Sequence, residues 1–325
     1  MTGVTEDRIA YHSELLRNRL VKRSKHLHKW ARRNNITCYR VYDRDIPEIP
    51  ICIDLYERYL HINEFPGAKE LRASDGPAWS AAMLDVAASS IGIHRDHVFW
   101  KRREPQKGKA QYQKLATSGQ RIPVHEGGYT LLVNLADYVD TGLFLDHRDT
   151  RAIVGTLCGG ARFLNLYSYT GSFTVYAAGG GARSTTSVDL SNTYNEWARQ
   201  NLAVNGLGGS LHRFERQDVI RFLDHAQARG ERYDCIVLDP PTFSNSKKME
   251  GVLDVQRDHP RLIEQCVALL SRRGILFFST SYRGFKWNVS PQQQLQVQEI
   301  TGDTVGEDFR KRRPHRVWML RRTDA

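Results

Sequence analysis

Cysteine is scarce in this 325-residue sequence, and long apolar runs are missing. The cysteines are odd in number and form no C-x-x-C pair, which disfavours disulfide frameworks and zinc ribbons: Cys38, Cys52, Cys158, Cys235 and Cys266. No stretch approaches the roughly 18 to 20 apolar residues of a membrane helix, and the N-terminus lacks the apolar core of a secretory signal. These absences predict a cytoplasmic protein with reduced cysteines, of which Cys235 and Cys266 are expected to be buried.

Positive charge is abundant: 47 Lys and Arg stand against 36 Asp and Glu, which gives a formal net charge of +11 and a pI near 9.5. The basic residues crowd into residues 17–33, 101–114 and 310–322. Because neutralising phosphates releases condensed counterions, this balance favours a polyanionic partner. Charge alone is weak evidence for nucleic-acid binding, so the chemistry has to come from the motifs.

The sequence changes its pattern twice. Residues 1–35 predict a basic helical arm, either a solvated face or a phosphate-contacting one. Strand-like runs around one helical stretch near 78–92 predict a small α+β RNA-binding domain over residues 36–140. From 141 to 325, strands alternate with helices of ten or more residues, which is typical of βαβ units. The fold class is therefore α/β, with a doubly wound Rossmann-like sheet.

The first strand of that sheet is followed by the loop YSYTGS, at residues 167–172. Gly171 favours a tight turn and close approach of a ligand, and Asp189 ends the next strand about 20 residues later, where nucleotide-binding folds hold ribose hydroxyls. The loop has no G-x-G-x-x-G and few basic residues, so an adenosine-bearing cofactor is favoured over a dinucleotide. Asp218, at a third strand end, is placed either to accept from an adenine amino group or to cap a helix.

The strongest local signal is the fourth strand end, which reads D-P-P-T-F from Asp239 to Phe243. Two prolines remove N–H donors and hold the backbone extended. An acid, a rigid turn with free carbonyls and an aromatic ring suit a planar base. We therefore predict a base-binding pocket with four members: Asp239, Pro240, Pro241 and Phe243.

Together, NLYSYTGSF and DPPTFSNSKKM resemble the RNA methyltransferases of the class I fold, and more closely the K half of the bacterial 23S rRNA methyltransferases K/L. The resemblance extends over nearly the whole chain, through NRLVKRSKHLHKWARRNNITCYRVYDRDIPEI, REPQKGKAQYQKL, VNLADYVDTGLFLDHRDTR, GARSTTSVDLSNTYNEWARQNLAVNGL and SYRGF. It implies a methyltransferase domain over residues 141–325 and a seven-stranded sheet whose last strand is antiparallel. Because the L half is absent, it implies only the K reaction, at guanine N7, and leaves open a separate L-type partner chain.

The resemblance also implies the cofactor, S-adenosylmethionine, with S-adenosylhomocysteine as the product. The segment before the sheet should close over it through Phe144, Leu145, Asp146 and Arg148. The remaining contacts are expected at the strand ends: Asn165, Tyr167, Ser168, Tyr169, Thr170, Gly171, Phe173, Thr174, Asp189, Leu190, Ser191, Asp218, Val219 and Asp239.

The RNA substrate is expected to be 23S rRNA or a large-subunit assembly intermediate, modified near the peptidyl-transferase region. Basic residues near the pocket and in the central loop are candidates for phosphate contacts: Lys101, Arg102, Lys107, Lys109, Lys247, Lys248, Arg283 and Lys286. His147 has no evident metal-binding partner, so no metal is expected and His147 receives no role.

Guanine N7 carries a lone pair and no proton, so its methylation requires alignment rather than a general base. Cytosine C5 methylation is disfavoured because it requires a thiolate. No cysteine follows D-P-P-T-F closely, and the strand after this motif ends in Phe278, Ser279, Thr280 and Ser281. Methylation of an exocyclic amine or of another rRNA base stays open. The rivals from other classes are a nicotinamide oxidoreductase, disfavoured by the glycine pattern, and a non-catalytic RNA-binding protein.

Overall fold

The computed structural model describes residues 2–66, 76–103, 119–245, 251–290 and 294–323. The chain forms two compact units. The N-terminal unit comprises residues 1–127 and 133–141, and the C-terminal unit comprises residues 128–132 and 142–325.

The N-terminal unit contains a four-stranded sheet in the order β1-β2-β3-β4. Its strands and two helices are α1 (Thr2–Arg33), β1 (Cys38–Asp43), β2 (Ile51–Tyr56), β3 (Tyr59–Glu64), α2 (Gly76–Ile91) and β4 (Val98–Arg102). Helix α1 buries Leu16, Leu20, Leu27 and Ala31 in the same core as the sheet. The helix predicted over residues 1–35 therefore packs into the core of this unit. Strands β5 (Ile122–Glu126) and β6 (Tyr129–Val133) follow in the chain.

The C-terminal unit contains a seven-stranded sheet in the order β14-β15-β13-β10-β7-β8-β9. Its elements are α3 (Arg148–Leu157), β7 (Arg162–Leu166), α4 (Ser172–Gly179), β8 (Ser184–Val188), α5 (Asn192–Ala203), β9 (His212–Glu215), α6 (Val219–Ala228), β10 (Tyr233–Leu238), β11 (Phe243–Ser244), β12 (Leu253–Asp254), α7 (Val255–Leu269), β13 (Leu270–Thr280), β14 (Leu295–Glu299), α8 (Thr301–Thr304) and β15 (Arg316–Arg322).

Strands β9, β8, β7, β10 and β13 run parallel, and β15 pairs antiparallel with β13. The predicted α/β class and the antiparallel last strand are thus confirmed. Strand β14, which pairs with β15, was not identified from the sequence. Its residues are mostly exposed, so it lacks the buried apolar run by which the central strands were recognised.

Apolar faces of α6 and α7 pack on the sheet around Leu238, Leu276 and Phe278. All five cysteines lie in described parts of the chain, where they are buried and form no disulfide, which agrees with the expectation for Cys235 and Cys266. No helix in the described ranges has the length and apolar character needed to cross a membrane.

Candidate functional site

The parallel register aligns four strand ends. Leu166 pairs with Val188 on one side and with Leu238 on the other, and Leu238 pairs with Phe278. The residues that follow these four are Tyr167, Asp189, Asp239 and Ser279. Because neighbouring strands lie about 4.8 Å apart, the turns after β7, β8 and β10 share one edge of the sheet, where open α/β sheets bind ligands.

The turn after β7 is wound through three residues with positive φ: Tyr167 (57°), Tyr169 (49°) and Gly171 (73°). Only glycine adopts this region without steric cost, so two tyrosines there mark a backbone held by its surroundings. One holding contact is the Asp189 carboxylate, which accepts from the backbone N–H of Tyr169 at 3.0 Å and of Ser191 at 2.8 Å.

Asp189 is a half-buried carboxylate whose hydrogen bonds come from neutral donors. Burial raises its pKa to about 6, against the opposing effect of the Ser191 and Tyr169 amides. Hydroxyl groups of a ribose would add donors to this carboxylate and favour its charged form. Nearby, Tyr167 Oη and Ser168 Oγ are buried without a partner among the described residues. The site therefore has the polar capacity that an adenosine-bearing cofactor needs.

The positive φ of Gly171 agrees with the tight turn that the sequence predicted, and the packing around it adds a second requirement. A Cβ at Gly171 would lie 2.7 Å from the Cβ of Ala198 in α5. The glycine is required by its positive φ and by the packing of α5 against the turn.

Several residues predicted to touch the cofactor support the turn from inside. Asn165 and Thr174 are 1% and 0% exposed. Asn165 Nδ2 donates to Thr174 Oγ1 at 3.0 Å, and Thr174 Oγ1 lies 2.8 Å from Ser187 Oγ. Their side chains are enclosed by protein, so the prediction of a direct contact is corrected to an internal network. Also buried are Leu145, Ser168, Thr170, Phe173 and Val219, while Leu190 and Ser191 are half-buried.

Two charged residues predicted at the cofactor have protein partners. The Arg148 guanidinium is buried and pairs with Asp308 at 2.8 Å, so its predicted cofactor contact is corrected to an internal ion pair. Asp218 caps α6, since its Oδ1 accepts from the N–H of Ile220 at 3.0 Å and of Arg221 at 3.2 Å. Phe144 is 43% exposed, and its ring lies 5.3 Å from that of Tyr169.

The turn after β10 carries the second carboxylate. Asp239 Oδ1 accepts from Ser279 Oγ, at the end of the neighbouring strand, at 2.6 Å. The side chain of Asp239 is 28% exposed, and Phe243 is 51% exposed. Pro240 is buried and Pro241 is half-buried. An open aromatic ring and an accessible carboxylate therefore flank a rigid turn, which is the arrangement expected of a base pocket.

Sequence reasoning missed the histidines beside this carboxylate. His147 Nε2 lies 3.6 Å from Asp239 Oδ2, and its ring stacks on His315 with centroids 4.3 Å apart. His315 in turn lies 3.1 Å from Asp146 Oδ2. Burial lowers the pKa of His147, against the raising effect of Asp239, so His147 is neutral at pH 7. His315 is 168 positions away in the sequence and comes near because β15 is antiparallel and begins at this edge.

Asp146, His147 and His315 are spaced closely enough to be considered as metal ligands. The two imidazole rings are, however, within 12° of parallel. An imidazole lone pair lies in the plane of its ring, so two stacked rings do not direct their nitrogens at one ion in the manner of metal-binding histidines. The stacked pair is better suited to supporting Asp239.

The predicted RNA contacts divide into three groups. Lys101 is corrected: its side chain is 6% exposed, its ammonium donates to the Tyr138 carbonyl, and burial lowers its pKa to about 8. Arg102 pairs with Glu64 at 3.2 Å but keeps an exposed side chain. Arg283 and Lys286 are exposed. The other candidates lie outside the described residues: Lys107, Lys109, Lys247 and Lys248.

Comparisons with known proteins show the family to which this chain belongs. The model of the S-adenosylmethionine-dependent methyltransferase family matches residues 78–282. Ribosomal RNA large subunit methyltransferase K of Neisseria meningitidis is 48% identical over 304 residues, which cover 94% of this chain and 86% of that protein. Ribosomal RNA large subunit methyltransferase K/L of Stutzerimonas stutzeri is 48% identical over 98% of this chain, which spans only 43% of that longer protein.

Two solved methyltransferases, one in complex with SAH and one from Streptococcus mutans, share the fold, with TM-scores of 0.74 and 0.73 at 22% identity. Each comparison covers 95% of this chain and 81% of the other. Fold and site thus define a methyltransferase that uses S-adenosylmethionine as its cofactor. The chain belongs to the S-adenosylmethionine-dependent methyltransferases, and within them to the family of the large-subunit ribosomal RNA methyltransferases K and K/L.

Proposed function

We propose that this protein methylates N7 of a guanine in 23S rRNA, near the peptidyl-transferase region. The observation that carries the proposal is the pairing of two different turns at one sheet edge: the Asp189 turn after β7 and β8, which is held by backbone amides, and the Asp239 turn after β10, which lies beside the exposed ring of Phe243. The first suits an adenosine-bearing cofactor and the second suits a flat base. The names of relatives that are 48% identical support ribosomal RNA as the source of that base.

The bound cofactor supplies an electrophilic methyl group on a sulfonium. The protein contributes position, because N7 attacks with its own lone pair and no proton has to leave it. The Asp239 carboxylate accepts from the N1–H and amino group on the far edge of the guanine, and backbone carbonyls near Pro240 add acceptors. Phe243 stacks on the ring.

The methylated guanine is a cation, so the charge that develops during transfer favours a nearby carboxylate. Asp239 therefore has two roles, in binding the base and in stabilising the transition state. Its hydrogen bond from Ser279 fixes one oxygen, while His147 lies beside the other. No residue is assigned to proton transfer.

Labelled S-adenosylmethionine and unmodified 23S rRNA test the proposal, with nucleoside mass analysis of the product. We expect 7-methylguanosine, and its loss in Asp239→Ala. Label in an exocyclic amine or in another base would retain the enzyme class and refute N7. If the protein binds S-adenosylhomocysteine but transfers no methyl group to naked rRNA, the same assay is run on large-subunit assembly intermediates. A second failure there would refute rRNA as the substrate.

A further inference from the structure

Helix α1 of the N-terminal unit distributes its positive charge over two unlike faces. On the face near the sheet, Arg19 Nε donates to Asp45 Oδ2 at 2.6 Å and Arg23 Nε donates to the Val41 carbonyl at 3.1 Å. These guanidinium groups are occupied by the protein itself. Arg19 and Arg23 thus stabilise the unit, and their charge is not available to a partner.

The second face borders a groove of about 540 Å³. Lys25, His28, Lys29 and Arg32 line it at helical spacing and are exposed. Within the described ranges, none of these four side chains has a hydrogen bond or an ion pair with the protein. Three permanent cations on one helix face outnumber the one acid of the groove lining, Glu57, so they raise the local potential and favour an anionic ligand.

The floor of the groove is apolar and includes Val41, Leu55 and Ile93. One acid, Glu57, reaches the lining, but its Oε1 accepts from the backbone N–H of His125 at 2.8 Å. Ser24 Oγ, also in the lining, is buried without a partner among the described residues. A ligand for this groove therefore combines negative charge with a flat or apolar part, which is the chemistry of a nucleotide.

The spacing of the cations suits a short strand. From Lys25 to Arg32 the helix advances about 10 Å at 1.5 Å per residue. Nucleotides stacked at roughly 3.4 Å each would place about three of them along this distance. A row of cations beside an apolar surface is also how proteins hold single-stranded nucleic acids without reading their sequence.

We propose that this groove binds a single-stranded segment of the substrate RNA. The phosphates lie against Lys25, Lys29 and Arg32, and a base or ribose lies on the apolar floor. The inference rests on the proposed function for the identity of the RNA. It adds a second site of contact, in the N-terminal unit, to the base pocket of the C-terminal unit.

A charge-reversal pair tests the groove in the full chain. The groove variant carries Lys25→Glu, Lys29→Glu and Arg32→Glu. The matched control carries Arg17→Glu, Lys22→Glu and Arg33→Glu, which change the net charge equally on the same helix at exposed residues outside the groove. The affinity of each for unmodified 23S rRNA is measured over a range of salt concentrations, and thermal melting verifies that both variants fold.

We expect the groove variant to bind more weakly than the control by about tenfold or more, because three phosphate contacts are lost. The slope of log affinity against log salt should fall by about 2, at roughly 0.7 per contact for single strands. Equal affinities and slopes for the two variants would overturn the groove as an RNA site, as would an unaltered protein that does not bind the transcript. The proposed function is judged separately, by whether the unaltered protein forms 7-methylguanosine.

Discussion

The two carboxylates at the edge of the sheet differ in how the protein holds them. Asp189 is half-buried and is fixed by backbone amides of its own and the neighbouring turn. Asp239 is also half-buried, but it is fixed by side chains, with Ser279 on one oxygen and His147 near the other. Backbone donors cannot be repositioned without moving the chain, whereas side-chain donors can turn. Under the proposed function, we therefore expect the cofactor side to be built in advance and the base side to be adjustable for a large substrate.

The difference also separates binding from chemistry. A group that holds the cofactor equally in the ground and transition states changes affinity, while a group beside the reacting base changes the rate. The following experiments are ordered from the largest expected effect to the smallest.

Replacement of Asp239 by alanine should have the largest effect. Loss of a carboxylate that accepts two hydrogen bonds at about 1.5 to 3 kcal/mol each predicts a fall in kcat/KM on the order of 10²- to 10⁴-fold. Affinity for S-adenosylhomocysteine, measured by calorimetry, should stay unchanged. Asp224→Ala, at an exposed position of α6, is the matched control. An Asp239→Ala enzyme with normal kcat/KM would remove Asp239 from the reaction.

Replacement of Asp189 by asparagine should have the opposite pattern, with a large effect on cofactor affinity and a small one on kcat. Affinity for S-adenosylhomocysteine is expected to fall about 10²-fold. The asparagine amide has only one oxygen, so it cannot accept hydrogen bonds from both backbone N–H groups and from the ribose hydroxyls as well. Saturating cofactor should restore much of kcat, which distinguishes this variant from Asp239→Ala. If calorimetry gives the same affinity as for Asp224→Asn, the cofactor is not held by Asp189.

The pH dependence of cofactor affinity sharpens the comparison further. The free carboxyl of Asp189 has a pKa of about 6, and hydroxyl donors favour its ionised form. Affinity for S-adenosylhomocysteine is therefore highest above pH 6 and decreases as the pH falls through 6. The decrease between pH 7 and pH 5 should be about tenfold. Titration calorimetry at several pH values measures this, and the Asp189→Asn variant should show a flat profile. A slope of the same size in that variant would assign the titration to another group.

Replacement of His147 by glutamine should have the smallest effect. Loss of one neighbour of Asp239 predicts about a fivefold fall in kcat, equivalent to roughly 1 kcal/mol. The melting temperature and the affinity for S-adenosylhomocysteine should stay unchanged, because the hydrogen bonds from the turn after β7 to Asp189 do not involve His147. His315→Gln, which removes the stacked ring, should resemble it. If melting temperature, cofactor affinity and kcat all fall together in either variant, the stacked pair is merely structural.

Much of the fold could be predicted from the sequence because its signals are local. Strands β7, β10 and β13 carry apolar runs between helices, and β8 is a β-branched run, STTSV, so all four were recognisable. The exposed edge strand β14 has no such run and was missed. The position of Asp189 and Asp239 at strand ends also followed from the sequence, since it needs only the strand and its direction.

The sequence by itself thus determined the α/β alternation, the two acidic turns and the surplus of positive charge. Tertiary structure alone decided which charges are available: Arg148 and Lys101 are taken up by Asp308 and the Tyr138 carbonyl, while Lys25 and Arg32 are left to the groove. It also decided that His315 stacks on His147. The physical reason is that burial and pairing depend on neighbours far away in the chain, which periodicity and spacing along the sequence do not record.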